Sequence, residues 1–454
     1  MKRITKILLA AASALVCAAS CTDYLKHGTV DLTMSDDGDD YSAEFEFNHP
    51  CALVSMADID RVKASVEVAD VNDPVYASYK TFCDSPYAQE SWLPSPVEVI
   101  VRGDPTGTGV SGENYILPSK DASAAFQLAL RWKLTGETKY ADAAVNILDS
   151  WAAVCKKIDA NDANQYLCAG FQGYTFANAA ELLRDYSGWS ESNQLKYKQW
   201  MLDVWFAKNH HFVETHGTGN TCAQHYWPNW ELANLSSILA IGIYLEDPEK
   251  INYVHRRFSE GEGSACINHM VPYDPIPDPD GKGMIAQHME SGRDQGHGTL
   301  VISMCAELCQ MAWHVGLDFW GIESNKVLAM SQYTAKYNVR PNGTYICTTM
   351  PFTEFSYCVD CACTDKNHGA VHTMVSSDGR GTIRPCWDLI YSHYRHEKNM
   401  PASDLHYVKL FADQLRYTDG VLTGDGGSGD SRYGGNSSAF DQIGWGTMMF
   451  YRGE

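Results

Sequence analysis

Apolar residues along this chain recur at three- and four-residue intervals over long stretches, and short polar gaps separate the stretches. That spacing marks amphipathic helices. The helical stretches come in pairs. AAFQLALRWKL (124–134) is followed, after a short gap, by KYADAAVNILDSWAAV (139–154), and WELANLSSILAIGIYL (230–245) by KINYVHRRF (250–258). FANAAELLRDY (176–186) pairs with ESNQLKYKQWMLDVWF (191–206), and QGHGTLVISMCAELCQMAWHV (295–315) with FWGIESNKVLAMSQYTAKYN (319–338). CWDLIYSHYRHE (386–397) and DLHYVKLFADQL (404–415) repeat the pattern late, and MADIDRVKASVEV (56–68) with PVYASYKTFC (74–83) begins it. Repeated helical hairpins predict an all-α fold, an (α/α) toroid whose inner helices line a central cleft; a helical solenoid is the alternative. Two stretches rich in Pro, Gly and Asp, 271–283 and 422–435, read as loops. Strand-like alternation is weak until the last dozen residues, DQIGWGTMMFYR (441–452).

The front of the chain stands outside this pattern. Lys2, Arg3 and Lys6 precede an apolar run from Ile7 to Ala19, which reads as a signal peptide over residues 1–20. Cys21 follows small residues, as at a lipoprotein cleavage site, with Ala18 where such sites more often carry Leu; ordinary signal cleavage nearby is the other reading. Residues 21–48 are acidic and poor in apolar side chains, and read as a tether. Residues 49–454 are expected to form one toroid domain. No later segment carries the long uninterrupted apolar run of a membrane span, so contact with a membrane is expected only through a lipid on Cys21. The expected location is outside the inner membrane, as an outer-membrane lipoprotein or a periplasmic protein, and the expected state is a monomer.

Charge narrows the partners. Thirty-five Lys and Arg stand against 56 Asp and Glu, a net charge of −21, which argues against nucleic acid. An acidic substrate would need a local basic pocket. Of 15 cysteines, removing Cys17 and Cys21 leaves 13, so at least one is unpaired. Cys358, Cys361, Cys363 and His368 have a spacing that suits zinc. No second ligand pair is evident, and disulfide or plain buried cysteine is the reading favoured in an oxidising compartment.

The stretch ESGRDQGHGTL (290–300) opens an apolar helix with an arginine, two acids and a histidine. At about 100° per residue, His297, Leu300, Met304 and Leu308 fall within about 60° of Arg293. The cation and the imidazole thus sit at the mouth of the buried stripe. Structural ion pairs, Glu290 with Arg293 and Asp294 with His297, are one reading. An anion-handling active site is the other.

Several separate motifs resemble one family. GFQGYTFANAAELLRDYSGW, HYWPNWELANLSSILAIGIYLED, ESGRDQGH, AKYNV, RPCWDLIYSHY and DQIGWGTMMF look like the alginate lyase superfamily of uronate-specific polysaccharide lyases, with polysaccharide lyase family 38 nearest. The resemblance runs from about Pro50 to the end. It implies an (α/α) toroid, β-elimination at a uronic acid, and a catalytic group of Asn, His, Tyr and Arg. One departure stands out: where alginate lyases of this fold carry Asn-His-Gly-Thr-Trp, this chain reads Tyr226-Trp227-Pro228-Asn229-Trp230.

Such a lyase removes the weakly acidic C5 proton of a uronate, so it must neutralise the carboxylate and hold a base nearby. Arg293 offers a permanent planar fork to a carboxylate. Asn229 neutralises by its amide, or caps the following helix. Tyr226 is the preferred base and acid, with packing as its alternative role; His297 and His225 support it. Tyr174, His216, His288 and Tyr337 are further candidates for substrate contact, and Trp227 and Trp230 offer faces for sugar stacking. No metal or cofactor is expected. An (α/α) glycoside hydrolase would need a flanking carboxylate pair. A non-catalytic helical glycan-binding lipoprotein would need aromatic platforms without a buried Arg, His and Tyr cluster.

Overall fold

The computed structural model describes residues 44–216, 222–358 and 370–453. Residues 1–43, with Cys21 and most of the tether, residues 217–221 and the segment from 359 to 369 lie outside the described residues, and with the last Cys361, Cys363 and His368.

All six predicted hairpins are present. They are α1 (Met56–Val68) with α2 (Pro74–Asp84), α3 (Ile116–Thr135) with α4 (Thr138–Val154), and α5 (Asn164–Leu183) with α6 (Glu191–Trp200). A π-turn over Met201–Phe206 carries α6 on into α7 (Ala207–Thr215). Next come α8 (Pro228–Leu245) with α9 (Pro248–Glu260), α10 (Gln295–His314) with α11 (Ile322–Asn338), and α12 (Trp387–Ser392) with α13 (His406–Leu415). Local chemistry sets the joints. Ser55 and Asp58 make a capping box for α1, and Asp73 and Asp247 cap α2 and α9, each ahead of a proline at the first helical position. Gly136, at φ 75°, ends α3 in the left-handed conformation that only glycine adopts without strain.

Burial separates inner from outer helices. From Tyr166 to Leu183 every residue of α5 is buried, and α8 and α10 are buried along nearly their whole length. A helix buried all round belongs to a core. By contrast α4 buries only Tyr140, Ala141, Ala144, Ile147, Leu148 and Trp151, one stripe at helical spacing. Helix α3 packs on α5, α5 on α8, α8 on α10 and α10 on α12. A short helix, α14 (Gly446–Phe450), then packs on both α12 and α1, and α1 on α3, which closes the ring. Each Leu, Ile or Phe buried in this ring contributes about 1.5–3 kcal/mol. The α5–α8 contact is the tightest in character: a Cβ at Gly170 would lie 2.7 Å from the Ala233 Cβ, and one at Gly173 would lie 2.3 Å from the Ser237 hydroxyl.

The expected C-terminal strand is a helix instead. Gly446 to Phe450 are all buried, and a short apolar run buried on every side satisfies its backbone helically as readily as in a sheet. It is held by polar groups: the Thr447 hydroxyl donates to Asp388 at 2.6 Å, and Asp388 accepts the Arg416 guanidinium at 3.1 Å. The strands that form are short pairs: β1 (Val99–Val101) parallel to β2 (Lys157–Asp159), and antiparallel β3 (Ile276–Pro277) with β4 (Met284–Ile285), β5 (Phe355–Ser356) with β6 (Val371–His372), and β7 (Tyr417–Thr418) with β8 (Val421–Leu422).

Candidate active site

Inner helices alternate with outer ones, so α5, α8 and α10 run in one direction and their N-termini open at one end of the ring. Asp294 caps α10 by accepting the backbone N–H of His297 at 2.8 Å. Its other oxygen accepts the His297 Nδ1–H at 2.7 Å. Burial pulls the Asp294 carboxyl upward, but the His297 hydrogen bonds and the charges of His297 and Arg293 outweigh it and hold the group below the usual range. Arg293 lies just before the cap, outside the helix, and not on its stripe as helical spacing implied; Leu300, Met304 and Leu308 form that stripe. Its guanidinium reaches Glu290 at 3.1 Å and the His297 Nε2 at 3.4 Å. Both predicted ion pairs are therefore made. Yet His297 is no core residue: its side chain is 41% exposed, and Arg293 remains partly open. Glu290 is wholly buried beneath them, and burial pushes its carboxyl up to about 7 against the pull of Arg293.

Helix α8 supplies the facing wall. Trp227, not Asn229, is its N-cap, so the capping role expected of Asn229 is not the one it has; Asn229 is the second helical residue, after Pro228. Asn229 is buried, yet its Oδ1 has no hydrogen-bond partner, and neither has the neighbouring Trp227 Nε1. Partnerless buried polar atoms are costly and cluster where a ligand completes them. The Trp227 ring stacks on Tyr357 at 4.0 Å and lies under the Arg293 guanidinium at 4.9 Å. Both of its faces are taken, which removes it as a sugar platform. Trp230 is engaged likewise, with Tyr226 at 4.6 Å and Phe212 at 6.2 Å. Tyr226 is half-buried, and His225 meets its ring edge-on at 4.6 Å.

Other expected residues are not gathered here. Tyr174 is fully buried along α5 and donates its hydroxyl to Glu307 at 2.7 Å. Glu307 also accepts the Gly444 N–H at 2.9 Å, so this pair ties the C-terminal segment to the ring. His288 is buried below α10 against the Thr334 hydroxyl at 3.1 Å, and burial pushes its imidazole down to about 3, so it stays neutral. Tyr337 lies under the Arg380 guanidinium at 3.8 Å in a separate apolar cluster with Ile285, Tyr333, Met350 and Val375. His216 ends α7 at φ 52°, within electrostatic reach of Arg257 and Glu214.

The structure adds residues that periodicity does not single out. His372, on β6, lies 6.1 Å from the Trp227 ring, and burial with the Arg293 charge pushes its imidazole down. Asp441 is buried and raised by burial, against the charges of Arg384, Arg102 and His297. Arg384 holds it at 3.3 Å. These groups come from distant stretches; Arg384 and Asp441 stand in the motifs RPCWDLIYSHY and DQIGWGTMMF, and His372 carried no signal. Among the described residues, one group has ligand spacing for a cation: His49, Cys51 and Glu181. Glu181 lies at the far end of α5 and already accepts Arg184 at 3.2 Å. Cys222 and Cys358 bring their sulfurs within 3.0 Å, joining the approach to α8 to the end of β5.

A mouth that gathers helix N-termini, an arginine and an oriented imidazole suits an anionic polymer, and a closed ring of helical hairpins with that mouth defines a helical-toroid polysaccharide lyase. Residues 117–342 match the family model described as alginate lyase. The chain belongs to the alginate lyase superfamily. No curated protein matches it in sequence. Its fold is similar to alginate lyase A1-III, the Sphingomonas species A1 protein, in a histidine-to-alanine variant complexed with tetrasaccharide: 12% identity over 89% of this chain and 96% of that one, TM-score 0.52. It is also similar to an alginate lyase from Bacteroides ovatus: 13% identity over 83% of this chain and 98% of that one, TM-score 0.51. These likenesses show the fold.

Proposed function

We propose that the protein cleaves an acidic polyuronate, alginate or a glucuronan-like polymer, by β-elimination. The observation that carries this reading is the Asp294–His297–Arg293 chain, with Arg293 over the ring of Trp227, which caps the helix carrying Asn229. Arg293 and Asn229 neutralise the uronate carboxylate, and so lower the barrier to forming an anion at C5. Asp294 fixes the His297 tautomer and leaves Nε2 as the lone-pair nitrogen, which takes the C5 proton. The C5–H electron pair becomes the C4–C5 double bond, and the C4–O bond breaks. Tyr226 returns a proton to the leaving oxygen. These side chains supply each charge and proton, so the reaction is expected to survive exhaustive chelation. The names of the similar structures, alginate lyases, support the substrate class. The hydrolase alternative is weaker because Glu290 and Asp294 are committed to Arg293 and His297.

Incubation with alginate and glucuronan tests this reading. Growth of ultraviolet absorbance and oligosaccharides with an unsaturated end are expected. Saturated, water-added products would overturn elimination in favour of hydrolysis. We further propose secretion with removal of residues 1–20, a lipid on Cys21, and an acidic tether over residues 21–48, which would put the toroid at a membrane surface as a monomer. Cys21→Ser should move the protein from the membrane fraction to the soluble one; a wild type already soluble after fractionation contradicts the anchor.

A further inference from the structure

Among the described residues Arg102 makes no ion pair, unlike Arg293 and Arg384, each of which holds a carboxylate. It directly follows β1, whose Val101 donates its N–H to the Asn114 side chain at 2.7 Å and accepts the Asn114 N–H at 2.9 Å. The backbone there is fixed from both sides. The guanidinium lies 4.8 Å from the Tyr115 ring and 5.6 Å from the Phe171 ring. Its Nη1 is buried with no hydrogen-bond partner. The acid nearest to Arg102 in effect, Asp441, is claimed by Arg384 at 3.3 Å, and Arg384 also donates to Gln442 at 2.9 Å. Asp441 nevertheless feels the charge of Arg102, and Phe171, against which Arg102 lies, is on α5 beside Gly170, where α5 meets α8 at Ala233.

We infer that Arg102, clamped between Tyr115 and Phe171, binds the carboxylate of a second uronate in the chain whose first uronate meets Arg293 and His297. This rests on the polyuronate reading of that site. The physical reason is cost. A partly buried guanidinium without an anion is expensive, and doubly so to order. The two rings hold its plane in place, so the ordering is already done when a carboxylate arrives. A carboxylate supplied by the substrate completes Nη1 and offsets the desolvation. In a protein of net charge −21, a guanidinium whose neighbouring acid is already held by Arg384 is also where an anionic chain escapes repulsion. The enzyme then requires two acidic sugars, and tolerates a neutral residue poorly at the second position.

Binding separates this inference from the catalytic reading. Calorimetry with a saturated tetrauronate, in the His297→Ala background, gives a Kd without turnover. Adding Arg102→Ala should weaken it roughly 10- to 100-fold, as for one charge-assisted contact. Adding Arg102→Lys should recover part of the loss. A tetrasaccharide with its carboxyls reduced to alcohols should bind both backgrounds alike. Equal Kd values for the tetrauronate with and without Arg102, in variants that melt as His297→Ala does, overturn the inference. Arg102→Gln replaces Arg102→Ala if the latter melts early. Absence of ultraviolet-absorbing product from the wild type overturns the lyase reading by itself, while the Kd comparison still decides Arg102.

Discussion

His297 donates its Nδ1–H to Asp294 at 2.7 Å, and its Nε2 meets the Arg293 guanidinium at 3.4 Å. A carboxylate only accepts, so this contact settles which nitrogen carries the proton. Nε2 is then the lone-pair nitrogen; here it accepts the long Arg293 contact, which gives way when Nε2 takes a substrate proton. His297→Ala should lower kcat about 10²- to 10⁴-fold with a small change in KM. Asp294→Asn still caps α10, so the melting temperature should hold while kcat falls, because an amide can stabilise the wrong tautomer. Steady-state kinetics beside thermal melts check both; an active Asp294→Asn would remove the orienting role. Arg293→Lys should stay impaired, since the planar fork is lost.

Asn229 separates binding from capping. Trp227 holds the cap position, and an acid in the first turn of a helix favours the fold. Asn229→Asp should therefore still fold, with the helix N-terminus offsetting part of the cost of burying its charge, yet lose nearly all turnover, because its carboxylate repels that of the substrate. Retained activity would place the substrate carboxylate elsewhere. Tyr226→Phe keeps the ring packing against Trp230 and Phe212. It should fold normally and lose turnover; full activity would assign return of the proton to His297 or His225.

Glu231 gives a pH dependence of known sign. Burial raises its carboxyl from the ordinary 4.5 to about 7, opposed by the Ala265 N–H and the charge of Arg257. The fold favours the neutral form. Its contribution is full below about 4.5 and is lost as pH rises through 7. Glu231→Gln lacks that loss, so the melting temperature of the wild type should fall relative to the variant across this window. The difference corresponds to at most about 3 kcal/mol. A constant difference from pH 4 to 8 would show that the carboxyl titrates as in the unfolded chain.

The 3.0 Å approach of Cys222 and Cys358 predicts a disulfide in oxidising surroundings. Exchange with a protein disulfide removes both thiol protons and leaves the donor reduced. Non-reducing digestion should yield one peptide pair linked through these positions. Reductant, or Cys358→Ser, should cost about 2–4 kcal/mol of stability, read by denaturant unfolding. Recovery of both thiols unlinked from aerobically purified protein would rule it out.

The mouth of α10 was readable in part from ESGRDQGHGTL, because a cap, an ion pair and a helical stripe are local and follow from spacing. The same rule misplaced Arg293 on the helix, since spacing does not announce that Asp294 is the cap. Tyr174 and His288 looked like candidates because aromatic and imidazole groups near a motif invite it. Burial decided otherwise, and burial depends on neighbours such as Glu307 and Thr334, more than forty residues away.

What the sequence determined by itself is the hairpin alternation, hence the ring, because helix periodicity, caps and breaks are encoded within a few residues of where they act. The tertiary structure alone decided which polar groups share the mouth. Arg102, Asn229, Arg293, Asp441 and His372 come from five separate segments, and they meet only when the ring closes. Charge, desolvation and stacking act through space, so whether an arginine is paired, or a tryptophan face is free, has no expression along the chain.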